Sequence, residues 1–310
     1  MATRRLVIDT DTASDDAVAL IMALQWPDVD VAAVTIVAGN VELEQASRNA
    51  RYTLELCERE VPVYEGCARP LLREPAPADW FHGADGMGNR HYPPPQRPAA
   101  EGHAVDAMIR LFAEQPGELE LVTLGPLTNV ATALTRRPQL AAEIRHCYIM
   151  GGAACTVGNV TPAAEYNIWC DPEAARIVLQ SGLPITLIGW ELSCDAATLD
   201  AAELAAIRAL DTARAHFAVD CNEFALEVVT RLQKQPGLAL ADPVAMAVAL
   251  NPAVCTQRSQ HAVTVVCDSD IARGMTVVDK LGVTGQTANA EVCWQLDAAR
   301  WKSMLSQCLA

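Results

Sequence analysis

Apolar residues along this chain fall into two rhythms, short unbroken runs and longer stretches with helical spacing. Leu6-Val7-Ile8 is the first short run and predicts a buried strand. A polar turn follows, and from Ala17 to Leu24 the apolar positions recur with helical period. Val29 to Val37 predicts a second strand, Glu42 to Glu58 a helix and Val61 to Tyr64 a short third strand. The same rhythm continues with a helix at His103 to Glu114, a strand at Leu119 to Leu124 and a helix at Leu127 to Thr135. Ile144 to Met150 is the next strand, Pro172 to Gln180 a helix and Pro184 to Gly189 a further strand. Helices are expected at Leu199 to Leu210, Thr212 to Leu232, Pro243 to Leu250 and Ala298 to Leu309, with strands around Ala262 to Cys267 and Met275 to Val278. Strand and helix alternating at this spacing imply βαβ units and a mainly parallel sheet. Gly66 to Pro98 breaks the rhythm with many prolines and glycines. A loop this long in a compact enzyme is usually functional, and it reads as a flap over an active site.

Length and composition narrow the picture. The 310 residues suit one large α/β domain, and 1–310 is expected to be a single domain. A net charge of −15 disfavours binding to a phosphate backbone, so no nucleic acid partner is expected. No apolar run has transmembrane length, and Met1 to Arg5 shows no signal peptide. Eleven cysteines fall at irregular spacing with no CxxC pair, and Cys147, Cys155, Cys170 and Cys267, in or beside apolar segments, read as small buried hydrophobes in a reducing cytosol. A cytoplasmic enzyme without membrane contact is therefore expected.

Candidate chemistry gathers where the first strand meets the first helix. Asp9, Asp11, Asp15 and Asp16 lie within that turn. In an open α/β sheet this end of the strands is where ligands bind. Like charges so close together either hold protons or need a cation. The donors are all oxygen, which selects a hard ion, Ca²⁺ or Mg²⁺. Ser14 or Asp15 is placed to cap the helix, but one cap satisfies a helix start and leaves the other carboxylates unexplained. The turn is not an EF-hand loop, because the sixth position from Asp9 is Ser14 and the twelfth is Leu20. Other polar groups also follow apolar strands: Asn40, the backbone around Leu124, the segment after Met150, and Glu191, with Asp242 at a separate helix start.

Asp9-Thr10-Asp11 with Asp15-Asp16-Ala17 resembles the DxDxxxDDAxA motif of the inosine/uridine-preferring nucleoside hydrolase family. Further landmarks agree in order: Ala38-Gly39-Asn40, Gly125 to Asn129, Met150-Gly151-Gly152, Ala164 to Asn167 with Asp171 to Ala175, Asp242-Pro243 and Arg273 to Asp279. The resemblance spans nearly the whole chain. It implies an α/β fold with a mainly parallel, Rossmann-like open sheet, helices on both faces and extra helices over the site. It also implies calcium-dependent hydrolysis of the N-glycosidic bond of ribonucleosides, in a homodimer or homotetramer. Carried over by position, Ca²⁺ would be held by Asp11, Asp16, the Leu124 carbonyl and Asp242, and Asp11 would activate a metal-held water near Asn40. Asp15, Met150, Asn159, Glu165 and Asn167 would bind the ribose. His82 matches a flap histidine of the family.

Physical chemistry agrees with these roles. Ca²⁺, with its flexible coordination, can take a ribose diol together with a water and acidify that water. Carboxylates around the sugar favour an oxocarbenium-like transition state. One departure stands out. Many family members have a histidine before the last calcium aspartate, and others a tryptophan; here that residue is Ala241. Two alternatives remain open at this level. Asp9-Thr10-Asp11 also fits the nucleophile motif of a haloacid dehalogenase-type phosphohydrolase, and a nucleoside- or ribose-binding protein without turnover would keep the same calcium site.

Overall fold

The computed structural model describes residues 3–232 and 234–310. Its strands are β1 (Arg4–Thr10), β2 (Val29–Ile36), β3 (Val63–Glu65), β4 (Leu119–Thr123), β5 (Cys147–Met150), β6 (Ile185–Ile188), β7 (Cys255–His261), β8 (Val263–Val265), β9 (Thr276–Val278) and β10 (Ala290–Leu296). An eight-stranded sheet runs in the order β3-β2-β1-β4-β5-β6-β10-β7, beside a two-stranded pair, β8 and β9. From β3 to β10 every neighbouring pair is parallel, and β7 closes the far edge antiparallel to β10. The fold is α/β with a mostly parallel central sheet, as the alternating rhythm predicts.

The helices in chain order are α1 (Ser14–Gln25), α2 (Leu43–Leu56), α3 (Asp79–His82), α4 (Ala104–Glu114), α5 (Thr128–Arg136), α6 (Leu140–Glu143), α7 (Tyr166–Cys170), α8 (Pro172–Leu179), α9 (Ala201–Arg208), α10 (Ala213–Asp220), α11 (Glu223–Arg231), α12 (Ala241–Leu250) and α13 (Ala298–Leu309). They cover both faces of the sheet. Side chains alternate along β1, so Leu6 and Ile8 join the core under α1, α12 and α13, while Val7 joins the core under α4, α5 and α8. No helix among the described residues is long and apolar enough to cross a membrane.

The order places β2 and β3 on one side of β1 and β4 on the other. The order in which strands are added across the sheet therefore reverses between the parallel strands β1 and β4, and the loops leaving those two strands part to form a crevice. Leu124 N–H donates to the Asp9 carbonyl at 2.8 Å, which fixes the spacing of the two strand ends.

Four expectations from the sequence need correction. The cap of α1 is Ala13, not Ser14 or Asp15. Asp16 reaches back to accept from Ala13 N–H at 2.9 Å, while the Ser14 hydroxyl is committed to His82. The strand expected at Ala262 to Cys267 is only Val263–Val265 and lies outside the main sheet. The far edge is built instead by β7 and β10, which the sequence reading passed over; β7 is an edge strand with consecutive exposed polar residues and no alternation to reveal it. Finally, the helix expected from Thr212 to Leu232 breaks at Cys221 and Asn222. There the Asn222 amide turns to the carbonyls of Ala218, at 3.0 Å, and Ser14, at 3.3 Å, tying the break to the start of α1.

Candidate active site

A cavity of about 600 Å³ opens at the carboxyl ends of the strands. Asp15 lines it from the first turn of α1, Asn40 from the loop after β2, Leu124 and Met150 from the ends of β4 and β5, and Glu191 from beyond β6. Helix α3 contributes Trp80, Phe81 and His82, so part of the proline-rich loop does stand at the cavity, and α12 contributes Ala241 and Asp242.

The four aspartates of the first turn have separate fates. Asp9 is fully buried and accepts from the Thr35 hydroxyl at 2.7 Å and the Asn129 amide at 2.8 Å. It ties β1 to β2 and α5 and does not line the cavity. A dehalogenase-type nucleophile would have to be this residue, so that alternative is not favoured. Asp11, also fully buried, accepts from Asn40 N–H at 2.6 Å through Oδ2, and its Oδ1 has no hydrogen-bond partner. Two glycines make room for it. A Cβ at Gly39 would stand 2.1 Å from Asp11 Oδ2, and one at Gly125 would stand 2.6 Å from Oδ1. Asp16 accepts from the Thr10 hydroxyl at 2.6 Å and more distantly, at 3.4 Å, from the Asn40 amide. Asp15 reaches the cavity, and its buried Oδ1 has no hydrogen-bond partner; His82 Nδ1 lies 3.9 Å away.

Carboxylate oxygens of Asp15, Asp16 and Asp242 come within 4.8 Å of one another, a group able to hold a metal ion. Asp11 adjoins it. Burial first, and then the charge of Asp16, raises the Asp11 carboxyl well above its ordinary value. Burial and the neighbouring Asp16, Asp15 and Asp11 do the same to Asp242. Asp16 is raised to about 7 by burial and by Asp15. Such a cluster is unfavourable as bare anions, and a cation removes both the repulsion and the orphaned oxygens. An all-oxygen, mostly carboxylate donor set therefore fits a hard divalent ion.

The remaining residues singled out in the sequence surround this group. Asn167 donates to the Leu124 carbonyl at 2.6 Å and to Met150 Sδ at 3.2 Å, so three of the expected residues meet through one amide. Glu165 caps α7. Its carboxylate accepts from the backbone N–H groups of Asn167 at 2.7 Å, Gly152 at 2.8 Å and Ile168 at 3.2 Å, while burial lifts it to about 7. Asn159 accepts from Tyr166 N–H at 2.9 Å and lines the cavity. His82 is buried, with Nδ1 2.9 Å from the Ser14 hydroxyl, and burial lowers its pKa. Asp11 and Asp16 are not part of the lining; the other expected residues are. The sequence reading had noted Glu191 at a strand end without giving it a role. Its carboxylate lies 3.3 Å from Ala154 N–H, and burial raises it to about 7.

Comparison with known proteins places this arrangement. The family model for inosine-uridine preferring nucleoside hydrolase matches residues 6–303. The pyrimidine-specific ribonucleoside hydrolase RihA of Shewanella woodyi is 37% identical over 313 residues, covering 99% of this chain and 98% of that protein. Among solved structures, a plant nucleoside hydrolase, the PpNRh1 enzyme, superposes with a TM-score of 0.93 at 33% identity, covering 99% of each chain. The purine-preferring ribonucleoside hydrolase from Gardnerella vaginalis gives 0.91 at 30% identity, covering 99% of this chain and 98% of its own. With a matching profile over nearly all its length and relatives of that name on the same fold, the chain belongs to the inosine-uridine preferring nucleoside hydrolase family.

Proposed function

We propose that the cavity hydrolyses the N-glycosidic bond of ribonucleosides with the help of one Ca²⁺ ion. Asp11, Asp16, the Leu124 carbonyl and Asp242 are its proposed ligands. Cleavage of an N-glycosyl bond is the reaction of the family to which the chain belongs. The observation that carries the metal reading is the convergence of buried carboxylates with orphaned oxygens at the switch point of the sheet. A hard cation held by these residues would supply positive charge able to acidify a water and to attract the hydroxyls of a vicinal diol.

The protein's own groups do the rest. Asp11, clamped between Gly39 and Gly125 and facing Asn40 N–H, takes the proton of the attacking water. Asp15 accepts a ribose hydroxyl through its unpartnered Oδ1, and Asn40 stands beside the path of the water. Asn159, Glu165 and Asn167 hold the sugar, with Met150 packed against it. Their carboxylate and amide oxygens face positive charge that grows on the ribose as the bond breaks, so they bind the transition state more tightly than the substrate. His82, which lines the cavity from α3, is the proposed group for exchanging a proton with the departing base. The relatives named above differ in the base they are named for, and base preference is not carried over.

The reading extends to the setting. The whole chain acts as one domain, in the cytoplasm, as a homodimer or homotetramer. All eleven cysteines are free, which suits a reducing compartment. Light scattering of the purified protein tests the assembly. The function is tested by base release from a panel of ribonucleosides with and without chelator. Release that depends on Ca²⁺ is expected, and tight binding of nucleosides without release would instead identify a binding protein.

A further inference from the structure

The half of the cavity that would receive the base is built from Trp190 to Thr198, the segment before α12, and Trp80 and Phe81 of α3. Its chemistry is one-sided. Residue 241 is an alanine in the cavity wall, with no proton to give. The His82 imidazole is buried, engaged by Ser14, and disfavoured in its protonated form. No Lys or Arg is found among the described residues that line the cavity, whereas Asp15, Glu165, Glu191, Asp195 and Asp242 all do. A cation at the strand ends would balance the inner carboxylates, but Glu191 and Asp195 lie outside that group. Trp80, Phe81 and Trp190 line the same cavity, and the rings of Trp80 and Phe81 pack edge to face at 5.5 Å. Negative charge and aromatic rings in one pocket are the combination that binds an organic cation.

We propose that this site prefers ribonucleosides whose base carries a fixed positive charge, such as pyridinium or N7-alkylpurinium ribosides. Glu191 and Asp195 supply the countercharge, and Trp80 and Trp190 the aromatic contact. The proposal rests on the ribonucleoside hydrolase reading and names its substrate class. The chemistry suits the missing acid. The C1′–N bond breaks with its electron pair passing to the ring nitrogen, which cancels the charge, so the base leaves neutral. Water adds to C1′ and gives up one proton, which passes through a carboxylate to solvent. No proton has to reach the base, and Ala241 is then no handicap. Glu191, though raised by burial, is drawn into its ionised form by a cation beside it.

The test uses Ca²⁺-loaded protein and three probes: an N-ribosylpyridinium, p-nitrophenyl riboside and uridine. The first two both depart without a proton, so their ratio of kcat/KM, each divided by its uncatalysed rate, isolates the charge. At low salt the ratio should favour the pyridinium on the order of tenfold, and it should shrink as ionic strength rises. Glu191→Gln should lower the ratio about three- to tenfold, and Asp195→Asn should lower it less, because that side chain is exposed to solvent. If Glu191→Gln does not fold, the salt series on the unaltered protein and the Asp195→Asn variant still decide. A ratio at or below one at low salt, unmoved by salt and by either variant, overturns the proposal while leaving the hydrolase reading intact. Failure to cleave any of the three probes with Ca²⁺ present overturns both.

Discussion

The two halves of the cavity are built in different ways. On the strand-end side Asp11 and Asp16 are fully buried and Glu165 is 2% exposed, and each carboxylate is aimed by backbone or side-chain donors. On the leaving-group side Trp80 is 50% exposed, and Glu191 accepts from the Ala154 N–H at the long distance of 3.3 Å. The first half hangs on β1, β4, β5 and the start of α12; the second hangs on α3 and the irregular segment after β6. Groups that must hold a charge in place sit on rigid elements, and groups that meet a variable base sit on loops. The chemistry of the ribose is thereby separated from the choice of base.

Stripping the metal should have the largest effect. With chelator in excess, turnover should fall to background for every riboside, and the melting temperature should drop, since an ion at 100 times its Kd contributes about 2.7 kcal/mol. Both are read by assay and by thermal denaturation with Ca²⁺ added back. Full activity in chelator would remove the distinction between the two halves. Next comes Asp11→Asn. It deletes the base and the charge of one metal ligand, so kcat should fall by more than the ~10²–10⁴-fold of a lost general base, while the fold survives because a buried like charge has gone. Near-normal turnover would show that the proton goes elsewhere.

The outer half is probed by leaving group. p-Nitrophenyl riboside should be cleaved about 10²–10⁴-fold faster than inosine or uridine, the span of one missing general acid. His82→Ala should slow natural nucleosides and spare the nitrophenyl substrate. Equal rates for all three, unaffected by His82→Ala, would point to another acid. Asp9→Ala sharpens the contrast within the first turn itself. It removes the main acceptor of the Thr35 hydroxyl and one of the two acceptors of the Asn129 amide, which keeps the Ile36 carbonyl, and should cost about 1–3 kcal/mol of stability by denaturant unfolding, with Ca²⁺ affinity retained. The smallest effect should be Trp80→Ala. A half-exposed ring contributes about 1 kcal/mol at most, so KM should shift no more than about fivefold.

The same division explains what could be read from the sequence. Residues on strand ends were legible because short apolar runs announce the strands, and whatever follows a parallel strand falls at the crevice. By that logic the sequence places Asp11, Asn40, Leu124 and Met150 at the strand ends. It did not separate Asp9 from Asp11, which share a motif and lie two residues apart, one on β1 and one just past its end. Their difference lies in Thr35 and Asn129, whose approach to Asp9 depends on β2 and α5 packing against β1. Nor did it reveal the cap of α1, because Ser14 looks like a cap until His82, 68 residues away, claims its hydroxyl. The edge strand β7 was hidden for a third reason. Its side chains are polar and exposed, and it is held in the sheet by backbone pairing to β10, which leaves no mark on the residue pattern.

The close approach of Gly39 and Gly125 to Asp11 has a consequence for how this enzyme can vary over generations. Every single-nucleotide change at a glycine codon that is not silent adds a side chain or ends translation, and at both positions even a methyl group would overlap a carboxylate oxygen. In a library covering all substitutions and selected for nucleoside cleavage, those two positions should be as intolerant as Asp11 itself, although neither contributes a functional group. Trp80 and Trp190 should accept many replacements in the same experiment. New base preferences can then arise by drift around the mouth, while the sugar-cleaving machinery is passed on unchanged.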